Sequence, residues 1–183
     1  MKITSSKNTS IKQWVTGEKI YYKGTELNII RQIVDKNIDT IQVLLKQEEK
    51  KLLILVPNML ENKDIKQSID KGIKDLLKNN TQAMLGVKLP YWSNITNIKY
   101  NEFKVRDAVS KFGSCIKSKK LLHFTSRLIM LPEDKIDAII VHELCHIVHA
   151  NHGNDFYNLV KKFIPNYSDI DKWLKDNSNL IMF

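Results

Sequence analysis

From Lys19 to Val56 apolar and polar residues alternate: Ile20 and Tyr22, then Leu27, Ile29 and Ile33, then Ile41, Val43 and Leu45, then Leu53 and Leu55. A period of two puts one set of side chains on each face of an extended chain, so these runs predict half-buried β-strands. Tyr22-Lys23-Gly24-Thr25 and Asp35-Lys36-Asn37 supply turn residues between runs, which predicts a small antiparallel meander. Past Pro57 the period lengthens. Ile65, Ile69, Ile73, Leu76 and Leu77 fall on one face of a helix and Lys63, Lys66, Lys71 and Lys74 on the other, the pattern of an amphipathic helix packed on a core. Helical character resumes over Thr81 to Asn97 with a break expected near Pro90, because proline lacks an amide donor and disfavours helix at the residue before it.

Farther on, Tyr100, Phe103 and Val105 predict a strand within Lys99 to Arg106, Lys111 to Cys115 reads as irregular, and Leu121 to Thr125 reads as a second strand. A helix is expected after Pro132, where Glu133 and Asp134 suit the positive end of its dipole. Ile136, Ile139, Ile140, Ile147 and Val148 carry it to about Ala150, and Asn151 and Gly153 offer left-handed residues to end it. The expected class is α+β, with a small amino-terminal antiparallel sheet ahead of a mixed helix and sheet region.

With 183 residues, 43% of them hydrophobic, the chain has material for one core, so a single domain is expected. Met1 to Trp14 is polar and lacks a signal-peptide stretch, and no segment approaches the roughly 20 apolar residues of a membrane span; a cytoplasmic protein without a membrane partner is expected. Cys115 and Cys145 are too few for a disulfide framework and are expected as free thiols. The net charge of +9 makes DNA a candidate partner. Against it, only Arg31, Arg106 and Arg127 among the 29 basic residues are arginine, the residue best suited to clamp phosphates and read bases, so general solvation is the simpler use of the charge. No glycine-rich phosphate loop is present, which removes nucleotide-dependent chemistry from the leading candidates.

Chemistry concentrates in His142-Glu143-Leu144-Cys145-His146, an H-E-x-x-H match inside the expected helix. Residues four apart share a helix face about 6 Å apart along the axis, so two imidazoles can converge on one ion. Glu143, about a third of a turn away, can address the ion's water instead of the ion. Zinc lowers the pKa of bound water to about 7, and a neighbouring carboxylate can then take the proton. Such a match arises by chance in roughly one chain in two hundred of this composition. Context strengthens it: four of five histidines lie between His142 and His152, and three rings beside a glutamate are costly to bury without a metal. His149 shares the face but stands about 10 Å along the axis from His142, too far to join an unbroken helix's site. His152, just past the helix end, is the better third ligand; Asp155 is the strongest carboxylate alternative, ahead of Asp169, Asp171 and Asp176. Tyr157 and His149 are candidates for transition-state or substrate contacts, with packing the simpler role for Tyr157. Cys145 reads as a packing residue, Cys115 is ambiguous, and His123 reads as a half-exposed strand residue.

These residues, together with Phe112-Gly113-Ser114-Cys115, Leu131-Pro132, Ile136-Asp137, Asn151-His152, Phe156 and Pro165-Asn166-Tyr167, resemble the bacterial YgjP-like metallopeptidases, relatives of SprT-like and Wss-like proteases. Order and spacing agree from Val105 to Trp173, and the upstream sheet and helix look like the weaker part of the same pattern. The resemblance implies a zincin-like catalytic lobe over residues 59–183 beside a β-rich lobe over 1–58, with Zn²⁺ on His142, His146 and His152, Glu143 as base and a peptide or protein as substrate. It departs from the family at Phe112 and Tyr157, where tryptophan is usual, which touches the shape of the substrate pocket. SprT-like relatives act on DNA-attached proteins, which would give the positive charge a use. Two function classes follow: a zinc metallopeptidase using water activated by Glu143, or a basic DNA- or protein-binding module with a structural metal or a latent peptidase site. Three protein ligands leave a coordination position open, which favours the first, although imidazole sites also accept other divalent metals.

Overall fold

A computed structural model of the chain describes residues 12–35, 38–60, 65–108 and 111–178. Most of the amino-terminal stretch read for a signal peptide, the turn residues Lys36 and Asn37, and Lys63 lie outside these ranges. The described residues contain strands β1 (Lys19–Tyr22), β2 (Thr25–Val34), β3 (Gln42–Lys46) and β4 (Lys51–Pro57), then helix α1 (Lys66–Thr96). After α1 come β5 (Glu102–Arg106), β6 (Gly113–Ile116) and β7 (Leu121–Thr125), a 3-10 turn Ser126–Met130, and helices α2 (Glu133–Val148), α3 (Asn154–Phe163) and α4 (Tyr167–Asp176). The α+β class expected from patterning is the class observed. No described helix is long and apolar enough to cross a membrane.

The first sheet is not the expected meander. Its order is β1-β2-β4-β3, with β1 and β2 forming a hairpin, β3 and β4 antiparallel, and β2 parallel to β4 from Asn28↔Lys51 to Val34↔Pro57. Leu52-Leu53-Ile54-Leu55-Val56 is an unbroken apolar run, suited to a strand flanked on both sides. β3 contains no fully buried residue and ends on Gln42 and Lys46, suited to an edge. Alternation reports which face a residue occupies and says nothing about which strand lies beside it, so the order was invisible. Ile33, grouped with the buried face by its period, is exposed near the far end of β2.

α1 also differs from expectation, running unbroken through Pro90 for 31 residues, about 46 Å at 1.5 Å per residue. Its buried positions, Ile69, Ile73, Leu77, Thr81, Leu85, Leu89, Ser93 and Thr96, form one stripe along the core. Pro90 and Gly86, whose carbonyl loses its usual amide partner, both lie on the exposed face. Water can satisfy that carbonyl there, and packing of the stripe outweighs the local cost.

The second sheet has the order β5-β7-β6, β5 parallel and β6 antiparallel to β7. Gly113-Ser114-Cys115 is a strand where the sequence suggested irregular chain: small residues carry little strand propensity of their own, and pairing with Leu122, His123 and Phe124 supplies it. β6 lies against α2, which also packs on α1, α3 and α4. Asp137 ties α2 to α1, accepting from Lys88 Nζ at 3.0 and 3.1 Å and from Trp92 Nε1 at 2.8 Å.

The hairpin turn between β1 and β2 anchors the start of this assembly. Lys23 and Gly24 have φ of +48° and +75°, the paired left-handed residues of a tight hairpin. Their amides bond to the carbonyls of Ile129 and Met130, at 2.7 and 3.1 Å, just ahead of α2. A Cβ on Gly24 would stand 2.9 Å from Pro132 Cγ and 3.0 Å from its Cα, at the residue preceding α2. Gly24→Ala therefore meets both backbone strain and a collision, and should lower stability by about 1–3 kcal/mol, measured as a reduced urea midpoint at unchanged m.

Candidate metal centre

Sixteen residues make α2, and its central run from Ala138 to Cys145 is buried throughout, including His142 at 2% exposure and Glu143 at 0%. A helix that buries polar side chains amid Ile139, Ile140, Val141 and Leu144 needs partners for them. Its last turn ends at His149 in extended conformation, φ −116°, and Gly153 has φ −82°, so neither Asn151 nor Gly153 supplies the expected left-handed cap. The extended exit leaves the His149 carbonyl 3.1 Å from His146 Nδ1, and it accepts that ring's proton. Residues 149–153 then bring His152 back to the helix before α3 begins.

The Nε2 atoms of His142, His146 and His152 lie 3.1 Å apart in all three pairings. One imidazole N–H points along a single direction, so three mutually close nitrogens cannot satisfy one another as a hydrogen-bonded ring. With the His146 proton on Nδ1, its Nε2 presents a lone pair to the other two. The point equidistant from three such atoms is about 1.8 Å from each, close to the zinc–nitrogen distance of about 2.0–2.1 Å, so the three imidazoles are the residues that would hold such an ion. The donor set thus fits a borderline divalent cation. Burial holds the rings neutral, the state in which they ligate: it depresses His142 to about 2 and His146 to about 4, the latter opposed by the His149 carbonyl, and it lowers His152 as well.

Phe156 of α3, fully buried, forms the floor. Its ring stacks on His146 at 4.5 Å and 26°, and meets His142 and His152 edge-on at 4.9 and 4.8 Å. Tyr167, the first residue of α4, brings its hydroxyl 2.6 Å from His142 Nδ1. Sequence reading left both residues without a role. The available signal was their position four and fifteen residues after His152, in the inward-facing first turns of two amphipathic helices.

Glu143 stands beside the triad and contributes no atom to it. It lines a cavity of about 280 Å³ with Gly113, Ser114, Cys115, His146 and His152. A Cβ on Gly113 would be 2.8 Å from both Cγ and Oε1 of Glu143, so glycine is the residue that lets β6 pass over the carboxylate. Burial raises the Glu143 pKa to about 7, with the Lys111 charge pulling the other way. Cys115, half-buried in the same cavity, is raised to about 11 by burial and by Glu143, and is a neutral thiol; Cys145 is a packing residue.

Among the described residues no aspartate oxygen joins the triad, Asp155 being exposed on α3 and Asp171 engaging Lys175 on α4. His149 contributes its carbonyl while its ring lies outside the cavity's lining. Tyr157 is 36% exposed with its ring 6.1 Å from His152, at the margin of the cluster. His123 is half-buried on β7 opposite Ser114, away from the triad.

A family model described as YgjP-like, metallopeptidase domain, matches residues 1–177 of the chain. Among solved structures, the metallopeptidase zymogen abylysin of Pyrococcus abyssi is similar at a TM-score of 0.46 and 17% identity, over 50% of this chain and 93% of its own. No curated protein matches.

One divalent cation per chain is the stoichiometry expected from the triad, measured by elemental analysis after dialysis. His152→Ala, which removes the most exposed donor with least disturbance of the core, should lower cation affinity at least tenfold by chelator competition.

Proposed function

Because the chain belongs to the YgjP-like metallopeptidase family, whose model spans residues 1–177, we propose that it hydrolyses peptide bonds with zinc held by His142, His146 and His152 and with Glu143 as general base. The observation that carries this reading is the 3.1 Å convergence of three imidazole nitrogens beside a buried carboxylate in one cavity. Bound there, the cation supplies Lewis acidity, lowering the pKa of water and polarising the scissile carbonyl.

The protein's own groups do the rest. Glu143 accepts a proton at a carboxylate oxygen as the water oxygen adds to the carbonyl carbon, and then delivers that proton to the amine nitrogen as the carbon–nitrogen bond breaks. Gly113 keeps the carboxylate in place by offering no side chain at 2.8 Å from it. β6 is an edge strand among the described residues, pairing only with β7, and Gly113, Ser114 and Cys115 line the cavity beside the triad. Free backbone groups of an edge strand suit an extended peptide, which can add to the sheet and lay its carbonyl over the cavity. A set of three protein donors, where structural zinc sites use four, favours catalysis over a structural metal. We read residues 1–58 as a lobe that braces this site within a single domain, since the hairpin turn docks on the segment ahead of α2. The free thiols of Cys115 and Cys145 suit a reducing, cytoplasmic setting.

Glu143→Gln should retain the cation and lose about 10²–10⁴-fold in kcat on unfolded protein substrates. Undiminished, zinc-dependent cleavage by that variant would exclude Glu143 as the base. Gly113→Ala, which displaces the carboxylate without touching a ligand, should lower kcat by about 10²-fold at full cation occupancy.

A further inference from the structure

The Pro165-Asn166-Tyr167 segment has no part in the chemistry derived so far, yet it delivers a phenol to the most deeply buried histidine. Tyr167 Oη lies 2.6 Å from His142 Nδ1, and the two rings stack at 21° with centroids 5.8 Å apart. The tyrosine is 2% exposed, and its hydroxyl bonds to no other group among the described residues. Its backbone is fixed independently, the amide bonding to the Ile164 carbonyl at 3.0 Å at the start of α4.

A neutral imidazole carries one proton. If His142 Nε2 is to present a lone pair to a cation together with His146 and His152, that proton belongs on Nδ1, and the 2.6 Å bond then runs from Nδ1–H to Oη. Two of the three rings have an orienting partner at Nδ1: the His149 carbonyl for His146 and the Tyr167 phenol for His142. Both residues are 2% exposed, so the bond lies in the interior.

We propose that Tyr167 is a positioning residue of the metal centre, whose hydroxyl accepts the His142 Nδ1 proton and thereby holds His142 in the tautomer and orientation that bind the cation. This rests on the metal-site reading above. The test compares Tyr167→Phe with Tyr22→Phe, which removes a hydroxyl donating to Asn80 Oδ1 at 2.9 Å beside the first sheet. Zn²⁺ affinity is measured by chelator competition on full-length folded protein. Tyr167→Phe, keeping the ring, should bind Zn²⁺ about 10–100-fold more weakly than wild type, and Tyr22→Phe about as tightly. ¹⁵N spectroscopy of the zinc-loaded wild type should find the His142 proton on Nδ1, a readout that stands even if Tyr167→Phe does not fold. Equal affinity of Tyr167→Phe and wild type, or a loaded His142 without a proton on Nδ1, overturns the role of Tyr167 alone. A wild type that binds no Zn²⁺ overturns the metal site, and this proposal with it.

Discussion

The structure is organised around burying a helix that carries a polar cluster. Desolvating His142 and Glu143 is costly, and α2 places both where water cannot reach them from outside the cavity, at 2% and 0% exposure. Nearly every neighbouring element packs against the cluster. β6 passes over Glu143 at Gly113, α3 places Phe156 under three imidazoles, and α4 sets Tyr167 against His142. α1 and the first hairpin hold the helix from the other side, through Asp137 and through the turn at Lys23 and Gly24.

How α2 ends decides whether the third histidine arrives. A left-handed glycine cap would have closed the last turn with backbone bonds of its own. The extended residue at His149 instead spends a carbonyl on His146 Nδ1 and sends the chain back toward His152 within three residues. The same five-residue connection therefore settles the orientation of one ring and the arrival of another. Phe156 lies in the first turn of α3, so the floor of the cluster is built by the next element in the chain.

Two departures from the sequence reading share one origin. Proline at position 90 and glycine at 113 were judged by local propensity, and each was overruled by packing: the first because its exposed face lets water take the freed carbonyl, the second because β7 supplies the pairing that Gly-Ser-Cys lacks. The meander failed for another reason, since two-residue alternation identifies strands without identifying neighbours, and only the buried run of β4 reveals which strand belongs in the centre.

The residue types and spacing of His142, Glu143 and His146 were legible from the chain itself, because helical geometry links four-residue spacing to a shared face at short range. The α+β class was legible for the same reason: alternation and helical periodicity are local. The preference for His152 over Asp155 rested on its place just past the helix end, and the return of the chain after His149 brings its Nε2 to 3.1 Å from both partners. Phe156, Tyr167 and Gly113 belong wholly to the tertiary structure. Their relation to the helix spans from ten to thirty residues of sequence, and nothing in a phenylalanine, a tyrosine or a glycine announces the imidazole or carboxylate it will meet; only the packing of α3, α4 and β6 around α2 does that.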